Sequence, residues 1–89
     1  MASIRIPTPL RPYTSGNEQV TVSGGTVAEA LTDLTRQHPA LEAHLFNQGE
    51  LRSFVNVFLG DEDIRYLNGV ETTLEDNARL LIIPSIAGG

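Results

Sequence analysis

A single amphipathic helix pattern lies between two groups of strand patterns, and this order constrains the fold more than any other feature of the sequence. Four apolar residues recur at i, i+3, i+4 and i+7, the spacing of one helical face: Val27, Ala30, Leu31 and Leu34. Thr26 supplies a hydroxyl at the capping position, and the Glu29 carboxylate follows three residues later. Pro39 disfavours the helical conformation at His38. The sequence therefore predicts a helix over 26–37.

Strand patterns flank this helix on both sides. Before it, alternation over 3–6 and 18–23 predicts a wide hairpin, whose connection at 8–16 is kept irregular by prolines and anchored by Leu10 and Tyr13. After it, the aromatic and β-branched run 54–59 gives the strongest strand signal. The remaining predictions are a short turn or helix at 40–46, a loop at 47–52, a strand at 64–67, a tight helical turn at 74–77 and a last strand at 79–83.

The order strand–strand–helix–strand–strand–strand determines how these elements can pack. One helix covers only one face of a sheet, so the other face has no helix to cover it. A right-handed crossover after the second strand places the first and last strands side by side in the centre of a mixed sheet. We therefore predict an α+β protein of the β-grasp fold with four to five strands, one domain over 1–83 and a flexible tail over 84–89.

The uncovered face of the sheet is a candidate binding surface. In the last long strands, period-2 alternation separates an aliphatic set, which we expect to face the helix, from a mixed set that includes Asn56. The mixed set leaves four apolar side chains as a candidate exposed patch for a partner: Phe54, Phe58, Leu81 and Ile83. The alternative is that loops 7–17 or 46–53 fold over this face and bury the patch in a second small core.

The composition excludes several classes of protein. Because the chain has no Cys, it has no disulfide, no thiolate metal site and no cysteine nucleophile. The net charge of −5 and the six scattered arginines argue against nucleic acid as a partner. We expect no metal site, because His38 and His44 lack ligand spacing and 61–63 is typical of a solvated turn. Without a signal peptide or membrane-spanning run, we expect a soluble cytoplasmic protein that binds no membrane.

The six residues Pro84 to Gly89 carry no charged side chain. At about 3.3 Å per residue, an extended tail of this length reaches roughly 20 Å, far enough to enter another protein's active site. Gly88 and Gly89 fit a narrow slot and leave the terminal carboxylate unhindered, because glycine has no β-carbon. A separate enzyme would have to activate that carboxylate, since the chain contains no nucleotide-binding loop and no base–nucleophile pair. The alternative is a frayed terminus without function.

Together these features resemble a known family. A β-grasp layout ending in Ile86, Ala87, Gly88 and Gly89 is similar to the ubiquitin-like sulfur carriers, the family of the small molybdopterin synthase subunit (MoaD) and the thiamin sulfur carrier (ThiS). Segments 7–12, 54–57 and 61–65 are similar to those of the family's cysteine-synthesis branch. The resemblance implies that an adenylyltransferase uses ATP to activate Gly89 and that sulfur transfer then forms a terminal thiocarboxylate. It also implies that the three preceding residues thread into the partner's active site.

The resemblance further implies the partners. They are a ubiquitin-activating-like adenylyltransferase and sulfurtransferase, and then either a pyridoxal-phosphate-dependent cysteine synthase or the large subunit of molybdopterin synthase. The chain itself would be a carrier and a substrate, not an enzyme, and would bind no cofactor. The family's outward hydrophobic position before the tail matches Ile83, whereas a further family contact falls near Pro7, which departs from the family pattern.

The absence of Cys and Lys bears on how such a carrier would work. Without Cys, any carried sulfur must sit on the terminal carbonyl. Without Lys, the chain cannot form side-chain-linked polymers of itself, although conjugation to lysines of other proteins stays open. Two alternatives to a sulfur carrier therefore remain, a ubiquitin-like protein modifier and a β-grasp interaction module with an inert tail.

Overall fold

The computed structural model describes residues 1–84, and in this part of the chain seven strands and two α-helices occur. In chain order they are β1 (Ala2–Arg5), β2 (Gln19–Val22), α1 (Val27–Gln37), α2 (Glu42–Leu45), β3 (Phe46–Asn47), β4 (Glu50–Leu51), β5 (Val55–Leu59), β6 (Glu62–Asp63) and β7 (Arg79–Pro84). Five strands form one mixed sheet in the order β2-β1-β7-β5-β6, in which only β1 and β7 are parallel. The first and last strands are adjacent, so the predicted β-grasp fold is confirmed.

Helix α1 begins and ends where its local sequence requires. The Thr26 hydroxyl accepts a hydrogen bond from the Glu29 amide at 3.2 Å, and the Glu29 carboxylate accepts one from the Gly25 amide at 2.7 Å. The chain enters the helix through Gly24, where φ is +143° and an added Cβ would lie 2.7 Å from the Cβ of Glu29. The helix ends at His38, as the following proline predicts.

The apolar face of α1 packs on one face of the sheet and forms the core. The predicted helical face is buried there together with the aliphatic residues of the central strands: Val27, Ala30, Leu31, Leu34, Ile4, Val55, Val57, Leu80 and Ile82. Fully burying one such side chain contributes about 1.5–3 kcal/mol. The predicted inward orientation of the aliphatic residues in β5 and β7 is therefore confirmed, and it turns the alternate residues toward the opposite face.

The connection between β1 and β2 is more regular than predicted. Residues Thr8–Thr14 form a 3-10 helix, whose first turn accommodates prolines because their fixed φ is already helical. Leu10 is buried in the core, which confirms it as an anchor. Tyr13 is 37% exposed, and its ring lies against His44 of α2 with the ring centroids 4.1 Å apart. The connection thus packs against the segment that follows α1.

Three predictions between β2 and β7 are wrong in detail. The expected strand at 64–67 is a 3-10 turn, Ile64–Tyr66, because the Asp63 carboxylate accepts a hydrogen bond from the Arg65 amide at 2.9 Å and ends β6. The expected loop at 47–52 instead contains the hairpin β3–β4, turned by Gln48 and Gly49 at positive φ. The expected helical turn at 74–77 is only a hydrogen-bonded turn, closed by the Ala78 amide on the Glu75 carbonyl.

Asp33 joins α1 to the end of β2 through a buried carboxylate. It is 8% exposed, and its Oδ2 accepts hydrogen bonds from the Ser23 amide at 3.0 Å and from the Gln37 side-chain amide at 2.9 Å. Its Oδ1 accepts a hydrogen bond from the Arg36 guanidinium. The Ser23 amide, followed by Arg36 and Gln37, holds the pKa of this carboxyl below its usual value. The ionised form of Asp33 therefore stabilises the packing of helix on sheet.

We predict that Asp33→Asn lowers the free energy of unfolding by about 1–2 kcal/mol at neutral pH, because the carboxylate's charge-assisted hydrogen bonds are weakened. A depressed pKa in the folded state stabilises the fold above the unfolded-state pKa of about 3.9, and this stabilisation is lost as pH falls through the folded pKa. Urea unfolding from pH 7 down to pH 2.5 should show the wild type and the variant converging in acid. Glu75→Gln, at an exposed carboxylate, is the control and should unfold like the wild type. A constant difference across this pH range would contradict the prediction.

Candidate functional site

The sheet face opposite α1 carries an apolar stripe along β5 and β7. Phe58 lies directly opposite Leu81, and Asn56 lies directly opposite Ile83, so all four side chains point to this face. Phe58 and Leu81 are half-buried, whereas Ile83 is 42% exposed. The structure therefore brings three of the four predicted patch residues together on one surface.

Phe54, the fourth residue of the predicted patch, lies just before β5 in the turn at 53–54. Its ring is 37% exposed, and the Arg52 guanidinium lies over it at 5.9 Å from the ring centroid. The Arg52 side chain also donates a hydrogen bond to the Ala43 carbonyl at 3.1 Å, which fixes it beside α2. Phe54 thus lies beside the β3–β4 hairpin and Arg52, and the structure does not bring it together with the other three patch residues.

The two loops that were alternatives for covering this face pack elsewhere. Residues 8–14 place Leu10 in the core between helix and sheet and contact residues 39–41. The β3–β4 hairpin directs Phe46 and Leu51 toward the same core. The exposure of Ile83 shows that the open face is accessible at the end of β7 among the residues that the structure describes.

Arg65 is held at the edge of β5. Its guanidinium donates hydrogen bonds to Asn56 Oδ1 at 2.7 Å, to the Ser53 carbonyl at 2.7 Å and to the Val55 carbonyl at 3.3 Å. β6 pairs only with the far end of β5, so this side chain occupies the part of the edge that β6 leaves open. Arg11 lies in the connection between β1 and β2, where its side chain donates a hydrogen bond to the Ile6 carbonyl at 3.1 Å and lies 3.8 Å from the Glu18 carboxylate.

A second feature of the open face was missed by sequence reasoning. A cavity of about 400 Å³ lies at the end of the face where β7 begins, and Arg5, Arg79 and Leu81 are among the residues that line it. The alternation in β1 and β7 places the side chains of Arg5 and Arg79 on the face away from the helix, and this was the only indication of the pair in the sequence. Their proximity depends on the parallel register that pairs Ser3 with Arg79, and a single sequence does not specify that register.

The predicted tail residues lie outside the described part of the chain. Gly89, Gly88, Ala87 and Ile86 follow Pro84, which is the last residue of β7 and pairs with Val55. β7 therefore extends one residue further than the predicted strand. The open face and the start of the tail are contiguous, because Ile83 on that face immediately precedes Pro84.

The described residues hold few groups suited to catalysis. Between residues 1 and 84, no cluster of three or more His, Asp or Glu side chains is placed to bind a metal ion. His44 packs against Tyr13, and the Asp63 carboxylate accepts the Arg65 amide. No helix within this range is long and apolar enough to cross a membrane.

The sequence and the fold both match known proteins. The chain matches the ThiS family over residues 4–89. It is 36% identical to the sulfur carrier protein CysO of Mycobacterium tuberculosis, over 98% of this chain and 97% of that protein. A chain in the crystal structure of the Amycolatopsis orientalis BexX/CysO complex superimposes with a TM-score of 0.91 at 37% identity, over 100% of both chains.

The structure is also similar to that of a small archaeal modifier protein. The small archaeal modifier protein 1 of Methanosarcina acetivorans superimposes with a TM-score of 0.89 at 29% identity, over 99% of this chain and 95% of that one. The family match includes the Gly-Gly terminus, and the structural matches include the five-stranded sheet with its one open face. This chain belongs to the ThiS/MoaD family of ubiquitin-like sulfur carriers.

Proposed function

We propose that this chain carries sulfur as a thiocarboxylate on Gly89 and delivers it in the biosynthesis of cysteine. The observation that carries the proposal is the family match, which extends through residue 89 and so includes the Gly-Gly terminus. The 36% identity to a CysO protein over nearly the whole of both chains supports the cysteine branch. The absence of Cys supports the terminal carbonyl as the position of the sulfur.

In this proposal the chain is a substrate and carrier, and its partners supply the catalysis. A separate adenylyltransferase joins the Gly89 carboxylate to AMP and releases pyrophosphate from ATP. A sulfide equivalent then attacks the carbonyl carbon and displaces AMP, so one carboxylate oxygen is replaced by sulfur. Ile86, Ala87 and Gly88 would occupy the narrow approach to that enzyme's active site, because small side chains allow a close fit.

The apolar stripe of Phe58, Leu81 and Ile83 is proposed to bind the partner while the tail enters its active site. Holding the carrier at its folded domain places the terminal carboxylate where an attacking group can reach it, which lowers the entropic cost of the reaction. In the cysteine branch, the later partner is a pyridoxal-phosphate enzyme that presents a three-carbon acceptor to the thiocarboxylate sulfur. An acyl shift and hydrolysis by a metalloprotease would then release cysteine and restore the Gly89 carboxylate.

A second candidate function is supported by the similarity to an archaeal modifier protein. A protein modifier would use the same adenylated carboxylate, but the attacking group would be a lysine amine of another protein. The two functions thus share activation and differ in the acceptor.

Intact mass spectrometry separates the two functions. The purified chain is incubated with ATP, a sulfide source and the adenylating enzyme of the same organism. We expect the mass increase of one oxygen replaced by sulfur, dependent on ATP. The failure of any such species to form, with transfer of the whole chain to lysines of other proteins instead, would contradict the sulfur-carrier proposal and favour the modifier.

A further inference from the structure

We propose that the cavity end of the open face, formed by Arg5 and Arg79, docks carboxylates on the surface of the activating enzyme. This inference rests on the proposed function, because it assigns a contact surface to the enzyme that activates the tail. The partner surface it requires has an apolar centre that meets Phe58, Leu81 and Ile83, with acidic residues at one side.

The six arginines differ in whether the protein itself supplies a partner for the guanidinium group. Four of them have their guanidinium groups occupied within the protein: Arg11 by Ile6 and Glu18, Arg36 by Asp33, Arg52 by Ala43 and Phe54, and Arg65 by Ser53, Val55 and Asn56. Among residues 1–84, the side chains of Arg5 and Arg79 have no hydrogen-bond or ion-pair partner. The protein has eleven acidic residues and a net charge of −5, so two unpaired arginines are not explained by a shortage of carboxylates.

Arg5 and Arg79 lie beside each other. β1 and β7 are parallel, with Ser3 opposite Arg79 and Arg5 opposite Leu81, so the two arginines are diagonal neighbours on the open face. With strands about 4.8 Å apart and a rise of about 3.3 Å per residue, their Cα atoms are about 8 Å apart. Both line the cavity of about 400 Å³. Asp61 also lines it, but it forms no ion pair with either arginine.

The cavity continues into the apolar stripe. Leu81 lines the cavity and pairs with Phe58 on the other side of β7. Gly60 follows β5 and lies opposite Arg79, and its amide donates a hydrogen bond to the Arg79 carbonyl at 3.0 Å. Because glycine has no side chain, Gly60 does not cover this end of the open face. An apolar surface bordered by cations fits a protein partner better than a polyphosphate, because a polyphosphate leaves the apolar stripe exposed to water.

The position of the two arginines along the sheet predicts that they affect the binding of the partner and not the chemical step. Arg79 is the first residue of β7 and Pro84 the last, so the Cα of Arg79 lies about 16 Å from the start of the tail. Arg5 lies opposite Leu81 on the neighbouring strand, so its Cα is about 11 Å from the start of the tail. In the proposed complex the tail extends away from the sheet into the partner's active site, so the arginines do not contact the reactive carboxylate. They contribute to the affinity and rate of docking, through charge complementarity that salt screens.

Direct binding tests this proposal separately from the chemistry. The affinity of the purified adenylating enzyme is measured by isothermal titration calorimetry without ATP, for the wild type and for Arg5→Gln/Arg79→Gln. We expect the variant's dissociation constant to be about tenfold higher in low salt and the difference to shrink as salt is added. At saturating carrier, the maximal rate of thiocarboxylate formation should be unchanged.

The matched control is Ala28→Glu/Thr32→Glu, on the exposed surface of α1 across the sheet from the open face. Each double variant changes the net charge from −5 to −7, because two positive charges are removed in one and two negative charges are added in the other. The control should bind within about twofold of the wild type. Arg5→Lys/Arg79→Lys should keep most of the affinity, and matching melting temperatures exclude unfolding as a cause.

Three results would overturn the docking proposal. The first is an equal loss of affinity in the arginine variant and in the control variant, and the second is no measurable binding of the wild type. The third is a lower maximal rate of thiocarboxylate formation with unchanged affinity, which would mean that the arginines act in the reaction and not in docking. If the wild type binds and the variant does not, but no thiocarboxylate forms, the docking surface stands and the sulfur-carrier function fails.

Discussion

Deletion of Gly89 should abolish thiocarboxylate formation and leave the fold unchanged. The terminal carboxylate would then belong to Gly88, about 3.3 Å short of its position in the full chain. Because a misplacement of about 1 Å can cost a hundredfold in rate, the shortened tail should not be activated at a measurable rate. The core residues all lie before the tail, so the melting temperature should stay within about 1 °C. Intact mass spectrometry and thermal unfolding measure the two outcomes.

Gly89→Ala is the informative companion to this deletion. It keeps the tail length but adds a β-carbon beside the carboxylate, so we expect slowed rather than abolished activation. Activation of the truncated chain at the wild-type rate would show that Gly89 is not required for activation and would contradict the prediction. A large loss of stability on deletion would instead show that the tail is part of the folded domain.

Substitution Ile83→Glu should slow activation by about a hundredfold at low carrier concentration. Ile83 is 42% exposed on the open face, so the change should cost the fold little. Burying the Ile83 side chain against a partner contributes about 1.5–3 kcal/mol to the free energy of binding. A glutamate at this position loses this contribution, and its carboxylate must also be desolvated to enter the apolar contact. The rate is measured as the ATP-dependent appearance of thiocarboxylate by intact mass.

Leu67→Glu provides the matched control for Ile83→Glu. Leu67 is 40% exposed, and it follows the 3-10 turn at 64–66 rather than lying in the β5–β7 stripe. The two variants introduce the same charge at aliphatic side chains of nearly the same exposure. Equal rates for both variants would contradict the proposal that the open face binds the activating enzyme.

The parts of the fold that the sequence predicted are those determined by local pattern. The face of α1, its Thr26 cap and its end before Pro39 depend on residues within one segment, and all three are as expected. The alternation in β5 and β7 was enough to assign which residues face the core. Strand order followed from the handedness of the crossover.

The predictions that failed depend on side-chain hydrogen bonds or on distant residues. The strand expected at 64–67 ignored the Asp63 carboxylate, which ends β6 and starts a 3-10 turn. The pairing of Ser3 with Arg79 joins residues from opposite ends of the chain, so the arginine pair was visible only in the folded protein. The proposed chemistry of Gly89 rests on the sequence and its relatives, because the structure describes the chain up to Pro84.

Peptide mass spectrometry locates the sulfur that we propose on Gly89. The chain has no Lys and its last arginine is Arg79, so trypsin releases residues 80–89 as one C-terminal peptide. After reaction with ATP, a sulfide source and the adenylating enzyme, we predict that the oxygen-to-sulfur mass increase is confined to this peptide and that fragmentation assigns it to Gly89. A mass increase on any other residue, or an unmodified peptide from a chain shown to bind the enzyme, would show that Gly89 does not carry the sulfur.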